Sequence, residues 1–105
     1  MRKHKLVWRK LALNQLKGIK KYISKDSQIA ADKIVANIRS SVKSLKTDPY
    51  LGQEEEILKP KGLGHRYLVC GNYKIIYRLI ESDIYIAVVF DTRRNPAKLA
   101  KIVKK

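Results

Sequence analysis

The residues best suited to chemistry in this chain are cationic and aromatic side chains on a predicted pair of strands. Alternation along residues 65–70 and 73–80 places His65, Tyr67, Lys74 and Arg78 on one face of the sheet. A histidine can act as an acid or a base near neutral pH, and a lysine among other cations can have its pKa lowered enough to act as a base. This face is therefore a candidate functional site.

A second candidate is the pair Arg93 and Arg94, which follows the last predicted strand. Two adjacent guanidiniums just beyond a strand end can bind phosphate or carboxylate bidentately. The pair therefore predicts contact with an anionic target, and it could equally hold an acidic partner protein.

The overall charge points to the same kinds of partner. The chain has 105 residues with 24 Lys or Arg against 9 Asp or Glu, a formal net charge of +15. Residues 1–25 and 92–105 contain no acidic residue. So large an excess is usually offset by a polyanion or an acidic partner, although a heavily solvated basic surface is the alternative.

Length and composition predict one folded domain over residues 1–105, because 45% apolar residues exceed what a disordered basic tail contains. No apolar run approaches the roughly 20 residues that cross a bilayer, and the N-terminus lacks the apolar region of a signal peptide. The single Cys70 cannot form an internal disulfide and is expected to be a small buried side chain. We therefore expect a cytoplasmic protein without a cofactor, a metal site or a membrane partner.

The elements that must position these residues begin with a strand at 3–8 and a helical hairpin. Ala12, Leu16, Ile19 and Ile23 form one face of a helix over 9–22. The other face carries Lys17, Lys20 and Lys21. A second helix starts after Asp26 or Ser27, either of which could cap it, and runs to Lys46 before Pro49. The apolar stripes predict that the hairpin packs on a sheet.

The sheet is predicted as three strands after a loop that contains Glu54–Glu56. Strands at 65–70, 73–80 and 84–90 are joined by turns at Gly71-Asn72 and Ser82-Asp83. The helix-covered face collects Leu68, Cys70, Tyr73, Ile75, Tyr77, Leu79, Ile84, Ile86, Val88 and Phe90. The open face collects His65, Tyr67, Val69, Lys74, Ile76, Arg78, Ile80, Tyr85, Ala87, Val89 and Asp91.

Pro96 is suited to start a short last helix through Val103, in which Leu99 and Val103 make the apolar contacts. The fold class is therefore α+β, with the order βααβββ and a short C-terminal helix. The helical hairpin packs on one face of a small, mainly antiparallel sheet.

This pattern resembles the RelE/ParE superfamily, the toxins of type II toxin–antitoxin systems. The resemblance is densest in HRYLVCGNYKIIYR at 65–78 and VVFDTRRNP at 88–96. It implies one of two activities: RelE-like toxins cut mRNA in the ribosomal A site, and ParE-like toxins poison DNA gyrase. It also implies neutralisation by an acidic antitoxin.

The resemblance assigns roles to single residues. Lys74 matches an active-site arginine of RelE-like toxins, and Arg94 matches the arginine after the last strand. His65 and Tyr67 stand where those toxins have two lysines, and Ala100 stands where they have a catalytic tyrosine. The missing tyrosine and the close Arg93-Arg94-Asn95-Pro96 favour the ParE-like activity. The alternative is a metal-independent endoribonuclease that uses Lys74, Arg78, Arg94 and His65.

Each of these residues also has a structural interpretation. Lys74 could pair with Asp91 across the strands, Arg78 could stack near Tyr67 or Tyr85, and His65 could be a polar residue at a loop edge. Tyr73 and Tyr77 are expected to pack in the core. Arg66 could anchor the preceding loop, with a carboxylate of Glu54–Glu56 as one conceivable partner.

Target or phosphate contacts are expected from Tyr67, Lys74, Arg93 and Arg94. Antitoxin contacts are expected from Lys17, Lys20, Lys21, Arg93, Lys98 and Lys101. A third interpretation is a decayed toxin that retains only antitoxin and operator-complex binding.

Overall fold

The computed structural model describes residues 4–103. The elements in chain order are β1 (Leu6–Trp8), α1 (Lys10–Ser24), α2 (Gln28–Lys43), a first 3-10 helix (Ser44–Lys46), β2 (Gln53–Glu54), a second 3-10 helix (Glu56–Lys61), β3 (Arg66–Cys70), β4 (Tyr73–Ile80), β5 (Asp83–Asp91) and α3 (Ala97–Ile102). The predicted α+β class is confirmed. The first strand was expected from Lys3, which lies outside the described residues, as do the cationic Lys104 and Lys105.

The helical hairpin forms because apolar residues recur at helical spacing and a polar residue caps its second helix. Ala12 and Leu16 of α1 are buried, and Ser27 caps α2 by accepting the Ala30 N–H at 3.1 Å. The helix predicted to reach Lys46 tightens into the first 3-10 helix after Lys43, where Leu45 is fully buried. Within residues 4–103, no helix is long and apolar enough to cross a membrane.

The sheet has the strand order β1-β5-β4-β3-β2, in which only β1 and β5 run parallel. The predicted turn at Gly71-Asn72 is confirmed, with Gly71 at φ 59° and Cys70 paired with Tyr73. The predicted turn at Ser82-Asp83 is wrong by one residue. Ile80 pairs with Asp83, so the turn is Glu81-Ser82.

A β-bulge at Ala87 changes which side chains face the helices. The register of β4 and β5 shifts between Ile76, which pairs with Val88, and Tyr77, which pairs with Ile86. The extra residue reverses the alternation of β5 beyond the bulge. Val88 and Phe90 were therefore assigned to the wrong face, and Val89 packs against the helices instead.

The two faces of the sheet bury separate apolar cores. The first core lies under the hairpin and comprises Ala12, Leu16, Ile38, Val42, Leu45, Tyr73, Ile75, Tyr77, Ile84, Ile86 and Val89. The second core lies on the opposite face and comprises Leu58, Ile76, Val88, Phe90, Leu99 and Val103. The expectation of an open second face is therefore wrong, because the second 3-10 helix and α3 cover much of it. The acidic stretch expected as a loop supplies β2 and the start of that 3-10 helix.

Candidate functional site

Lys74 lies on the second face of the sheet, where a buried carboxylate holds it. Its Nζ is 2.7 Å from Oε2 of Glu55, whose side chain is only 2% exposed. Oε1 of Glu55 also accepts the Ile57 N–H at 3.2 Å. The expected pairing of Lys74 with Asp91 is wrong, because the bulge places Phe90 opposite Lys74 and turns Asp91 toward the helix side.

An aromatic ring completes the surroundings of Lys74. Its Nζ lies 4.3 Å from the centroid of the Tyr67 ring, and the Tyr67 hydroxyl donates to Oε1 of Gln53 at 3.2 Å. Lys74 therefore has an anion and a π face as partners.

His65 precedes β3 and is 4% exposed, so it is a buried residue rather than a polar residue at a loop edge. Its Nδ1 has no hydrogen-bond partner among the described residues. Burial, followed by the charges of Arg78 and Lys61, lowers the pKa of His65 to about 4. The imidazole is therefore neutral at physiological pH and cannot act there as an acid from a charged ring.

Two arginines of the sheet hold the loops that precede β3. Arg78 donates from Nε to the Leu63 carbonyl at 3.0 Å. Arg9, and not Arg78, places its guanidinium over the ring of Tyr85. Stacking of Arg78 was therefore the wrong expectation. Arg66 donates to the Gly52 carbonyl at 2.6 and 2.9 Å, which confirms its role in loop anchoring without a glutamate partner.

Tyr73 and Tyr77 pack in the first core as predicted. Burial raises the pKa of both phenols. The Tyr77 hydroxyl accepts the Gly52 N–H at 2.9 Å and donates to the Pro49 carbonyl at 2.8 Å. Neither phenol is therefore placed to act as an acid or a base.

The arginine pair after β5 divides into one engaged and one accessible cation. Arg93 binds Asp91 bidentately, at 2.9 Å from Nε to Oδ1 and 2.8 Å between the terminal nitrogen and Oδ2. This contact lowers the pKa of the Asp91 carboxyl. Arg94 lies 5.4 Å from the centroid of the Phe90 ring and, within residues 4–103, forms no ion pair.

Two adjoining clefts lie beside this arginine pair, with volumes of about 330 and 360 Å³. They share Tyr22, Tyr73 and Arg93, and the second also reaches Arg94. Tyr22 is 69% exposed and was not predicted as a site residue. It stands between Lys21 and Ile23, the last residue of the apolar stripe, and this position offered no signal that it would line clefts with the arginines.

Cys70 lines the first of these clefts and is only partly buried, packing at the margin of the first core. Sequence reasoning did not identify Glu55 as the partner of Lys74, and considered its acidic run only as a conceivable partner of Arg66. Glu55 belongs to an acidic run that reads as solvent-exposed, and only the fold selects its middle member for burial. No three metal-ligating side chains cluster in the part of the chain that the structure describes.

The remaining predicted cations are exposed on two different faces. Lys17, Lys20 and Lys21 belong to α1, which buries Ala12 and Leu16 in the first core. Lys98 and Lys101 belong to α3, which buries Leu99 in the second core. Lys20 also lies 3.8 Å from Asp32, an exposed pair that contributes little to stability.

The structure therefore distributes the predicted site residues over three places. Lys74 and Tyr67 are in contact, and Arg94 lies beside the ring of Phe90, the residue that pairs with Lys74 across the strands. His65 and Arg78 line a separate cavity, while Arg93 faces the clefts beside α1. This arrangement presents cations to an anion, but it supplies no accessible acid and base at one point.

Comparison with known proteins identifies the family of this chain. The family model of the ParE toxin of the type II toxin–antitoxin system parDE matches residues 6–96. A chain of the chromosomal ParDE system from P. aeruginosa is similar in structure, with a TM-score of 0.69 and 22% identity over 84% of this chain and 95% of that one. No curated protein matches the sequence significantly. The resemblance to the RelE/ParE superfamily is confirmed, and the chain belongs to the ParE family of toxins from type II toxin–antitoxin systems.

Proposed function

We propose that this toxin inhibits growth by binding DNA gyrase, without covalent chemistry of its own. The observation that carries the proposal is the ion pair between Lys74 and Glu55 at 2.7 Å. A lysine whose charge is already compensated by a buried carboxylate gains little from a scissile phosphate. The residue that would replace the active-site arginine of a ribonuclease is therefore engaged inside the protein.

The state of the candidate acid and base positions supports the same proposal. Cleavage of RNA through its 2′-hydroxyl needs a base, an acid for the leaving oxygen and cations on the phosphate. His65 is neutral and buried, and Ala100 occupies the position of the catalytic tyrosine. A toxin with this set of side chains is better suited to binding than to cleavage.

Arg94 is the side chain that we propose for direct contact with gyrase. It is exposed, it borders the cleft lined by Gln15, Ile19 and Tyr22, and its guanidinium forms no ion pair within residues 4–103. Arg93 is expected to contribute less, because Asp91 already binds one edge of its guanidinium through two hydrogen bonds. Lys74 and Tyr67 would lie at the margin of this contact.

The test is inhibition of gyrase supercoiling by the purified toxin. We expect inhibition by the native protein, and at least about tenfold weaker inhibition by Arg94→Ala, the magnitude of one lost charge-assisted contact. Arg39→Ala is the matched control, since Arg39 is also an exposed arginine over an aromatic ring. Supercoiling that persists at saturating native toxin would overturn the gyrase proposal.

A ribosome-dependent ribonuclease is the second candidate, because Lys74 contacts the ring of Tyr67 and pairs across the strands with Phe90, whose ring lies beside the guanidinium of Arg94. Its test is cleavage of mRNA on programmed ribosomes. Loss of cleavage in Lys74→Ala and Arg94→Ala would support it, with Arg78 and His65 as further candidates. Cleavage that survives both changes would place the active site elsewhere, and a toxin inactive in both assays would be a decayed one.

We further propose that an acidic antitoxin segment neutralises this toxin. We expect this segment to contact exposed lysines of α1 and α3, namely Lys17, Lys20, Lys21, Lys98 and Lys101. Arg93, which lies between the two helices in the sequence, is a further expected contact. Because α1 and α3 cover opposite faces of the sheet, one segment that contacts both must pass around an edge of the molecule. A segment that folds on docking suits such a path.

A further inference from the structure

A small cavity on the second face of the sheet is lined by three nitrogen-rich side chains. Its volume is about 150 Å³, and Arg9, His65 and Arg78 contribute to its wall. The remaining lining residues are apolar: Leu11, Ala87, Val88, Ile102 and Val103. The β-bulge at Ala87 lies in this wall, where it interrupts the pairing of β4 and β5.

The N-terminus of α1 opens onto the same cavity. Arg9 is the N-cap residue and Leu11 belongs to the first turn, and both line the cavity wall. No side chain caps this 15-residue helix, and its first turn contains no acidic residue. The unpaired N–H groups and the positive end of the helix dipole therefore favour an anion at this point.

His65 provides an independent indication that a polar group is missing. The residue is only 4% exposed, and its Nδ1 has no hydrogen-bond partner in residues 4–103. A buried nitrogen left without a partner destabilises the folded protein. Because His65 lines the cavity, an anion bound there would lie beside an imidazole that the described residues leave without a partner at Nδ1.

We propose that Arg9, Arg78, His65 and the N-terminus of α1 form a binding site for one phosphate-sized oxyanion. Arg78 uses Nε for the Leu63 carbonyl, which leaves the other nitrogens of its guanidinium to bind a ligand. Of the charged groups that act on His65, Arg78 and Lys61 are cationic, and Glu55 is already paired with Lys74. The local field therefore favours a negative ligand.

The size of the cavity restricts the ligand. Sites for drug-sized molecules typically occupy about 300–1,000 Å³, and this cavity is about half the lower bound. A phosphate group or a carboxylate fits this space, whereas a whole nucleotide base and sugar would remain outside. This site is separate from the Arg94 surface, so its failure and that of the gyrase proposal are distinguishable.

Inorganic phosphate is the probe for the test. Its binding is monitored by NMR of the histidine rings at constant ionic strength. The chain has two histidines, His4 and His65, and His4 contacts the Ser82 carbonyl outside the cavity. We expect saturable shifts of the His65 resonances, with those of His4 unchanged. We also expect the phosphate-bound protein to show a higher pKa for His65 than the free protein, because a bound anion favours the imidazolium.

Variants separate a site from general screening of a basic protein. Arg9→Gln and Arg78→Gln should each weaken phosphate binding by at least about tenfold, while Arg39→Gln should leave it unchanged. If Arg78→Gln fails to fold because the Leu63 contact is lost, the Arg9→Gln variant alone tests the site, since Arg9 is exposed.

A parallel titration with acetate distinguishes a phosphate from a carboxylate ligand. Phosphate that binds more tightly than acetate supports the proposal. Acetate that binds more tightly overturns the assignment to phosphate, and equal, unsaturable shifts of His4 and His65 overturn the site itself. Arg9→Gln with native phosphate affinity would also overturn it.

Discussion

At the scale of single residues, the main question is which cations remain available for a partner. Glu55 engages Lys74, Asp91 engages Arg93, and backbone carbonyls engage Arg66 and Arg78. A net charge of +15 therefore overstates what a target meets at the sheet. Contact with partners falls to Arg94, Arg9 and the lysines of the helices.

The burial of His65 predicts a specific dependence of stability on pH. Its pKa is about 4 in the folded protein against an ordinary value of 6.5, so the unfolded chain binds the proton more readily between these values. Stability is therefore fully present above pH 6.5 and is lost as pH falls toward 4. We expect the free energy of unfolding to decrease by about 2 kcal/mol from pH 7 to pH 5 through this residue alone.

Urea unfolding in phosphate-free buffer at the two pH values measures this effect. His65→Asn should remove most of the pH dependence, and His4→Asn should keep it. An unchanged dependence in His65→Asn would mean that other groups account for it.

At the scale of elements, the segment between the first 3-10 helix and β2 is held by a compact set of hydrogen bonds. The Tyr77 hydroxyl binds the backbone of Pro49 and Gly52, and Arg66 binds the Gly52 carbonyl. This segment leads directly into β2 and Glu55, so its position determines whether Glu55 reaches Lys74. The loop is therefore part of the scaffold of the site.

Gly52 is expected to be intolerant of any side chain. A Cβ there would lie 2.6 Å from the Tyr67 carbonyl oxygen and 2.7 Å from the Tyr77 hydroxyl. Gly52→Ala should lower the free energy of unfolding by about 1–3 kcal/mol, the usual cost of overpacking. Chemical denaturation measures this difference.

Gly18 offers the matched control, because a Cβ there meets nothing within 4 Å. It lies inside α1, where alanine is a better helix former. Gly18→Ala should therefore raise stability by about 0.5–1 kcal/mol. Equal effects of the two changes would contradict the packing around Gly52.

At the scale of the whole molecule, the sheet separates two basic surfaces. One is the outer side of α1, with Lys17 and Lys21, and the other is α3, with Lys98 and Lys101. Both are solvent-exposed, so their interactions with an acidic partner act mainly through long-range attraction, which salt screens over about 10 Å at 0.1 M. They are expected to govern association rates more than dissociation rates.

The double change Lys17→Gln with Lys21→Gln should slow association with the proposed antitoxin by about threefold at low salt. The effect should largely disappear at high salt. Stopped-flow or surface-based kinetics with the purified partner would measure it.

Lys33→Gln with Lys43→Gln removes the same charge from exposed positions of α2 and serves as the control. If both pairs slow association equally, the net charge and not the surface of α1 steers the partner.

Much of the fold follows from patterns that are local in sequence. The period of Ala12 and Leu16 and the glycine turn at Gly71 each depend on a few neighbouring residues and were predicted correctly, and the cap at Ser27 was one of two candidates, with Asp26. The bulge at Ala87 was not predicted, because the alternation of side chains along one strand does not reveal an extra residue. The extra residue becomes evident only when the partner strand is paired with it. Every face assignment beyond it was reversed.

The sequence by itself determined the class of fold, the family and the large excess of positive charge. The tertiary structure decided how those charges are used: it paired Lys74 with Glu55 and buried His65 beside Arg9 and Arg78. The physical reason is that helices, turns and caps form from near neighbours. Ion partners and pKa values depend instead on burial and on contacts between residues distant in the chain.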